Sequence, residues 1–454
     1  MERKRFQADP LHGSIVKNMI IFAIPIMAVT LLYSLFSSID TMVVGKFGHE
    51  NAMSAIGVSQ SVIWTIIAIV SSLGSGVSMV FGRLYGEKKH DEIHRLLQAL
   101  PLSVGFLGMV LAVIAIIAAP VVLRLVNCPD TIYEDSLIYF RLSFLCVPFM
   151  VTFTFFAAAV EAKGDSFTPF IFQVISQVCN VILNLFFVIV LDLNVLGVGI
   201  ATVISDILSF TLMVIHLVRQ NDELKLKIKE LVFFKGTREI FEKGIPSSLQ
   251  GFALNITAVV ITAFINSFDE VVISGNTVAG AIEGLMMVGF AGFESASVVF
   301  IAQNLGAKNI ERVKKCFGVT MIFVVVISEA LRALALIFAR PLTGLFTDDP
   351  MIQEIAIHRM EFLCLTYCLC GTMNSISGCI RGLQDSKTPL IISIIGSVFF
   401  RLGWLLTVSR SLGTIESIYI AFPLTWALCT VLGFTAFIIL FRKRKNEIEI
   451  KEEI

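Results

Sequence analysis

Charge is what this chain has too little of. Only 15% of its 454 residues are Asp, Glu, Lys or Arg, against about 25% in an ordinary soluble domain. That scarcity excludes a disordered chain, a nucleic-acid-binding surface and a typical water-soluble enzyme. Thirty-five basic residues balance thirty-five acidic ones, so net charge points to no polyanionic partner. No Gly-rich loop resembles a phosphate cradle, which argues against ATP as an energy source. None of the six histidines joins an acid in a catalytic constellation. Paired Asp motifs of the kind expected of a membrane-embedded prenyl or acyl transferase are also missing, so the chain reads as a non-enzyme.

What is present is apolar. The AVILMFWYC residues make up 56% of the chain and mean hydropathy is +0.85. A bilayer-spanning helix needs about 20 apolar residues, and the runs allow twelve. Six are read near 16–43, 52–81, 96–121, 136–160, 169–191 and 195–218. Six more lie near 245–267, 274–302, 316–339, 353–380, 389–409 and 416–441. Turn and charge signals such as Asn127-Cys128-Pro129-Asp130 and Asp348-Asp349-Pro350 separate them. The longest polar stretch is 219–244, too short for a soluble domain. The basic N-terminus flows into the first run without a small-residue cleavage site, so no removable leader is expected.

With both termini on the cytoplasmic side, inside segments hold 27 of the 35 Lys and Arg residues, as the positive-inside rule requires. The expectation is a multi-pass protein of the cytoplasmic membrane, monomeric, in contact with lipid and not with nucleic acid. Of the nine cysteines, Cys364, Cys368, Cys370 and Cys379 cluster in the tenth span. No His or acid accompanies them as a thiolate metal site would want, so they read as small packing residues. Cys128 alone is clearly in an outside loop, which implies no disulfide framework.

The chain repeats itself. Asp165-Ser166-Phe167-Thr168-Pro169 recurs as Asp385-Ser386-Lys387-Thr388-Pro389, and Gly86-Glu87-Lys88 as Gly306-Ala307-Lys308, both at an offset of 220. Pro120 and Pro129 recur as Pro341 and Pro350 at 221. Each repeat holds six spans, an even number, so the halves enter the membrane the same way. The expected fold is an all-α integral membrane protein of twelve transmembrane helices in two six-helix bundles related by pseudo-twofold symmetry. The division is 1–218 for the first lobe, 219–244 for a cytoplasmic linker, and 245–454 for the second lobe with its basic tail. Two like bundles facing one another make a transporter architecture.

Several motifs are similar to those of one family. Pro25, Ile39-Asp40-Thr41, Val44-Gly45, Gly48 and Ala52 resemble the first-helix signature of multidrug and toxic compound extrusion (MATE) transporters. Asn180-Val181-Ile182-Leu183-Asn184 and Gly197-Val198-Gly199-Ile200-Ala201-Thr202 follow the same pattern. So do Gly244-Ile245-Pro246, Gln303-Asn304-Leu305-Gly306-Ala307 and Arg381-Gly382. The resemblance covers essentially residues 12–440. It implies an exporter of organic cations in exchange for Na⁺ or H⁺, with no cofactor. A flippase for lipid-linked precursors, from the same broader superfamily, is the alternative. It would want several cationic cleft residues to hold a pyrophosphate, and Arg401 is the one clear candidate.

Ionisable groups inside spans cost about 2.5–3.5 kcal/mol at mid-membrane, so each needs a reason. Asp40 has apolar flanks and no Lys or Arg within a helical turn. Its carboxyl suits a proton that is alternately held and released, or, ionised, a hard cation. Asn180 and Asn184, four apart, project from one face of the fifth span. Thr202 opens the sixth span and Asp206 lies one turn further on. The resemblance maps Asp40, Asn180, Asn184 and Thr202 onto the cation-coupling cluster of the N-terminal lobe, with Na⁺ as the metal they would ligate. Many relatives carry Asp at the position of Asn184, so a two-acid proton relay is less expected and Na⁺ versus H⁺ stays open. Pro25 is the candidate hinge of the first helix.

Adding 220 to Asp40, Asn184 and Thr202 lands on Val260, Trp404 and Phe422, so the second half is expected to keep the scaffold without the polar cluster. It has charges of its own. Glu283 and Glu294 share a face of the eighth span and either attract a cationic substrate or are neutralised internally, with Arg401 as the expected partner. Glu329 and Arg332, spaced i,i+3, are expected to pair locally. Gln250 and Asn255 are further candidate cleft residues. Phe149, Phe153 and Phe156 fall on or near one face of the fourth span, where aromatic rings could meet organic cations.

Overall fold

The computed structural model describes residues 7–48, 52–125 and 128–453. Within them, the side chains of 34, 37–42, 44–45, 59–62, 64–67, 70–71 and 451–453 fall outside the described residues. No β-strand occurs among the described residues, as expected of segments that must satisfy every backbone group internally in lipid. In order, the helices are α1 (Ile15–Phe47), α2 (Ala52–Leu73, continued by Ser75–Gly86), α3 (His90–Leu125), α4 (Asp130–Ala162), α5 (Phe167–Val190) and α6 (Asn194–Arg219). Then follow α7 (Arg238–Ile265), α8 (Glu270–Gly306), α9 (Ile310–Ile337), α10 (Pro350–Cys364 with Tyr367–Gly382), α11 (Lys387–Leu412) and α12 (Ile415–Ile450).

Among the described residues ten of these are long and apolar enough to cross a membrane, and the two parts of α10 together make an eleventh. The remaining place in the order of twelve belongs to α2. The parts of α10 meet at 54°, a bend absent from the sequence reading. At the break the Thr366 hydroxyl donates to the Leu363 carbonyl (3.0 Å), a local bond that competes with continuation of the helix.

The internal repeat has its physical counterpart at helix starts. Asp165 accepts from the backbone N–H (2.9 Å) and hydroxyl (2.7 Å) of Thr168 ahead of α5. Asp385 accepts from the same groups of Thr388, both at 3.0 Å, ahead of α11. Lys88 and Lys308, an offset of 220 apart, both take left-handed backbone, with φ of 58° and 57°.

The chain divides into two compact units, and the division differs from a cut between sequence halves. The first holds Ala28–Gly244; the second holds Ile245–Ile454 together with Ala8–Met27. The first unit therefore keeps the polar segment 219–244, and the second takes the opening turns of α1. In the first unit, Gln98 bridges that segment by donating to the Lys225 carbonyl (2.9 Å) and accepting from the Lys227 N–H (3.0 Å). A Cβ on Gly76 would lie 2.2 Å from the Ile240 carbonyl oxygen, so only glycine lets α2 and the start of α7 approach this closely.

In the second unit, Arg312 holds residues 10–13 by donating to the carbonyls of Pro10 (3.1 Å), His12 (3.0 Å) and Gly13 (3.1 Å). Asn304 donates to Pro10 as well (3.0 Å). Phe22 packs edge-on against Phe300 at 5.8 Å, and Gly292 gives α1 room at Ala23. The core of the first unit includes Phe81, Phe140, Phe155 and Phe156; that of the second includes Met19, Phe22, Phe293 and Phe300. Phe153 is also in the first core, and Phe149 meets the ring of Phe210 at 5.5 Å.

Candidate functional site

Helix α5 is amphipathic in the inverse sense of a soluble helix. Its buried positions include Gln173, Ser176, Asn180 and Asn184, while Ile175, Val178 and Ile182 are exposed. The spacing i, i+3, i+7, i+11 makes one polar stripe along the helix. In lipid this is the stable arrangement, because apolar side chains lose nothing by facing acyl chains and amides need partners.

The stripe is wired to its neighbours. Asn184 donates its amide to Asn180 Oδ1 at 3.0 Å, and both side chains are buried. The Ser176 hydroxyl donates to the Ser205 carbonyl of α6 at 2.6 Å. Gln173 donates to the Tyr33 hydroxyl of α1. The Cys146 thiol of α4 donates to the Ser143 carbonyl at 2.9 Å and lies near Asp206, which is half-buried on α6. Thr202 bonds back to the Val198 carbonyl of its own helix (3.0 Å). Asn180 and Asn184 thus meet as expected. Asp40 lies on α1, with its side chain outside the described residues. Pro25 sits within α1, which continues through it.

Gln173, Ser176, Tyr33 and Cys146 escaped the sequence reading. For the first two the signal was available, since they extend the Asn180–Asn184 pair backwards at helical spacing. Tyr33 and Cys146 carried none, because only tertiary packing brings α1 and α4 to the same place.

In the second unit the expected partner of the buried acids is corrected. Glu283 is gripped by Arg359, with Nε to Oε1 at 3.0 Å and Nη2 to Oε2 at 2.9 Å. Arg359 also donates to Asn276 Oδ1 (2.8 Å), which accepts from the Tyr419 hydroxyl (2.9 Å). Glu294 pairs with Arg381. Arg401 neutralises neither. Its bonds run to the Thr425 hydroxyl, from Nε at 3.1 Å and also from Nη2, and its guanidinium lies 4.9 Å from the Phe422 ring centroid. The bend in α10 and the direction of each helix face decide this pairing, and neither is readable from spacing alone. Arg332 pairs locally with Glu329 (2.6 Å), as expected. Gln250 donates to Ser393 (2.9 Å), and Asn255 bonds back to the Gly251 carbonyl (2.9 Å).

The repeat register is corrected as well. The buried positions of α5 run Pro169, Gln173, Ser176, Asn180, Asn184. Those of α11 include Pro389, Ser393, Ser397, Arg401 and Leu405. The step from Gln173 to Ser176 is three residues, and from Ser393 to Ser397 it is four. The extra residue falls in a wide π-type turn over Ile394–Phe400, the usual form of a one-residue insertion in a helix. Over the rest of α11 the offset is 221, so Asn180 corresponds to Arg401 and Asn184 to Leu405 rather than Trp404. The second half has a polar group at this level after all.

Residues 25–186 and 246–403 match the family model MatE. The chain is 24% identical over 443 residues to the Bacillus subtilis protein named "Probable multidrug resistance protein YoeA", covering 95% of each. It is 24% identical over 384 residues to the multidrug export protein MepA of Staphylococcus haemolyticus, covering 84% of this chain and 85% of that one. Among solved structures, an outward-facing multidrug resistance MATE family transporter of the MOP superfamily superposes with a TM-score of 0.85. Its identity is 20%, over 96% of this chain and 98% of that one.

Proposed function

We propose that this chain, which belongs to the MatE family of multidrug efflux transporters, exports amphiphilic organic cations in exchange for Na⁺ or H⁺ by alternating access. The protein resides in the cytoplasmic membrane with both termini inside. The observation that carries the reading is the buried polar stripe of α5 in an otherwise apolar helix. Amides and hydroxyls at this depth are costly to maintain, and they offer neutral oxygen ligands beside the Asp206 carboxylate.

Asp40 binds the coupling cation, with Asn180, Asn184 and Thr202 supplying oxygens around it, as their family motif implies. The cation is cargo rather than a resident group. Entry of the cation changes the conformation of α1 near Pro25 and lowers the affinity for drug; only such differential binding can drive the exchange. Oxygen donors of this kind suit a hard monovalent ion.

The test is efflux of a fluorescent lipophilic cation from vesicles carrying the purified protein, under an imposed Na⁺ or pH gradient. The intact protein is expected to respond to one gradient, and Asp40→Asn to neither. Undiminished gradient-driven efflux by Asp40→Asn removes Asp40 from coupling, and absence of efflux by the intact protein overturns the exporter reading.

A further inference from the structure

Among the described residues three arginines are buried in the second unit: Arg359 and Arg381 at 8% exposure and Arg401 at 6%. The first two are each held by a glutamate. Among the described residues no carboxylate approaches Arg401 within ion-pair distance. Two of its five N–H donors share one hydroxyl oxygen, that of Thr425, and the described hydrogen bonds give the other three no acceptor. The Cys370 and Cys429 thiols lie near it, but an ordinary thiol is uncharged at neutral pH. A guanidinium inside a spanning helix is expected to have a counter-charge or to mark a function.

Its position strengthens the case. Arg401 stands where the offset of 221 within α11 puts Asn180 of the first unit, and Thr425 stands where the offset of 220, to which the buried positions of α12 return, puts Ser205. One step further along the same helices, Trp426 replaces Asp206. The corresponding interior of one unit therefore presents oxygen acceptors and an acid. That of the other presents an unneutralised guanidinium against the ring of Phe422. Both a planar cationic donor and an aromatic wall are suited to a carboxylate carried on a flat organic body.

We infer that Arg401 is an anion-binding residue of the second unit, and that it takes the pendant carboxylate of zwitterionic amphiphiles. This rests on the exporter reading and narrows it, because the substrates then include molecules with a negative group as well as a cationic one.

The experiment compares rhodamine B, which has a free carboxylate, with its ethyl ester, which lacks it. Binding to the purified full-length protein is read by dye fluorescence anisotropy, in chloride buffer and in gluconate buffer. Wild type is expected to bind the acid about tenfold more tightly than the ester, a typical gain from one charge-assisted contact. Arg401→Gln should abolish that preference while leaving ester affinity within about threefold, and Arg401→Lys should keep most of it. Ester binding serves as the check that each variant is folded.

An acid-to-ester ratio unchanged in Arg401→Gln overturns the inference. So does a failure of the wild type to bind either dye, or a preference for the acid that appears in gluconate but vanishes in chloride, which would make chloride the ligand. Gradient-driven efflux of the ester from vesicles tests the exporter reading separately. Efflux with no acid preference sinks the anion site alone.

Discussion

Arg359 holds Glu283 with two parallel hydrogen bonds of 3.0 and 2.9 Å, and both side chains are almost wholly buried. The Tyr367 hydroxyl donates to the Glu283 backbone carbonyl at 3.0 Å. A buried pair of this kind contributes little net energy, yet breaking it by removing one partner costs about 3–5 kcal/mol.

Glu283→Ala is therefore expected to lower the melting temperature of the purified protein sharply. The double variant Glu283→Gln with Arg359→Met should recover most of the loss, since no unpaired charge is then buried. Thermal unfolding followed by tryptophan fluorescence measures both. A double variant as unstable as the single one would show that the pair does more than cancel charge.

Asn180 and Asn184 are joined side chain to side chain. Asn180→Ala removes one oxygen of the proposed coupling site and the partner of Asn184. The cation concentration for half-maximal efflux should rise about tenfold, in line with losses seen when groups supporting an ion site are removed. Vesicle efflux against increasing Na⁺, and in parallel against increasing pH gradient, provides the measurement.

Gly76 faces the carbonyl of Ile240 with no room for a Cβ. Because the obstacle is backbone, Gly76→Ala must push α2 away from the opening turns of α7. Overpacking of this kind costs about 1–3 kcal/mol or more. The variant should melt at a lower temperature than Gly280→Ala, where nothing lies within 4 Å of the new atom.

Lys163, in the turn after α4, pairs with Asp222 and also with Glu223 at 3.3 Å. Burial pulls its ammonium pKa down, but the hydrogen bond to Asp222 and the charges of Glu223 and Asp222 outweigh this and raise it. A raised folded pKa gives stability that is complete below the unfolded lysine value of about 10.4 and is lost as pH climbs through the folded value. Lys163→Met should melt a few degrees lower than wild type at pH 8, and the gap should close above about pH 10.4.

Arg312 donates to three carbonyls of the segment before α1, those of Pro10, His12 and Gly13. Arg312→Ala should expose this segment to protease. Cleavage around His12-Gly13 is expected to rise about tenfold, which corresponds to about 1.4 kcal/mol of local opening, with the efflux rate of uncut protein unchanged. Limited proteolysis followed by mass measurement distinguishes this from general unfolding.

The amino-acid order alone determined the helical class, the membrane setting and the repeat. Hydropathy, turn residues and the Asp-Ser-x-Thr-Pro caps are local properties that each segment carries by itself. It also determined that Asn180 and Asn184 share a face, because a helix fixes the direction of residues four apart. Tertiary structure decided what depends on other segments. It assigned Arg359 to Glu283 and Arg381 to Glu294, leaving Arg401 on a hydroxyl. It placed Ala8–Met27 with the second unit, through contacts of Asn304, Arg312 and Phe300 that no spacing foretells. It also placed one inserted residue in a wide turn of α11, shifting the repeat from 220 to 221 over the rest of that helix. A single such residue rotates the rest of its helix by about 100°, which is why Arg401, and not its neighbour, corresponds to Asn180 in the repeat.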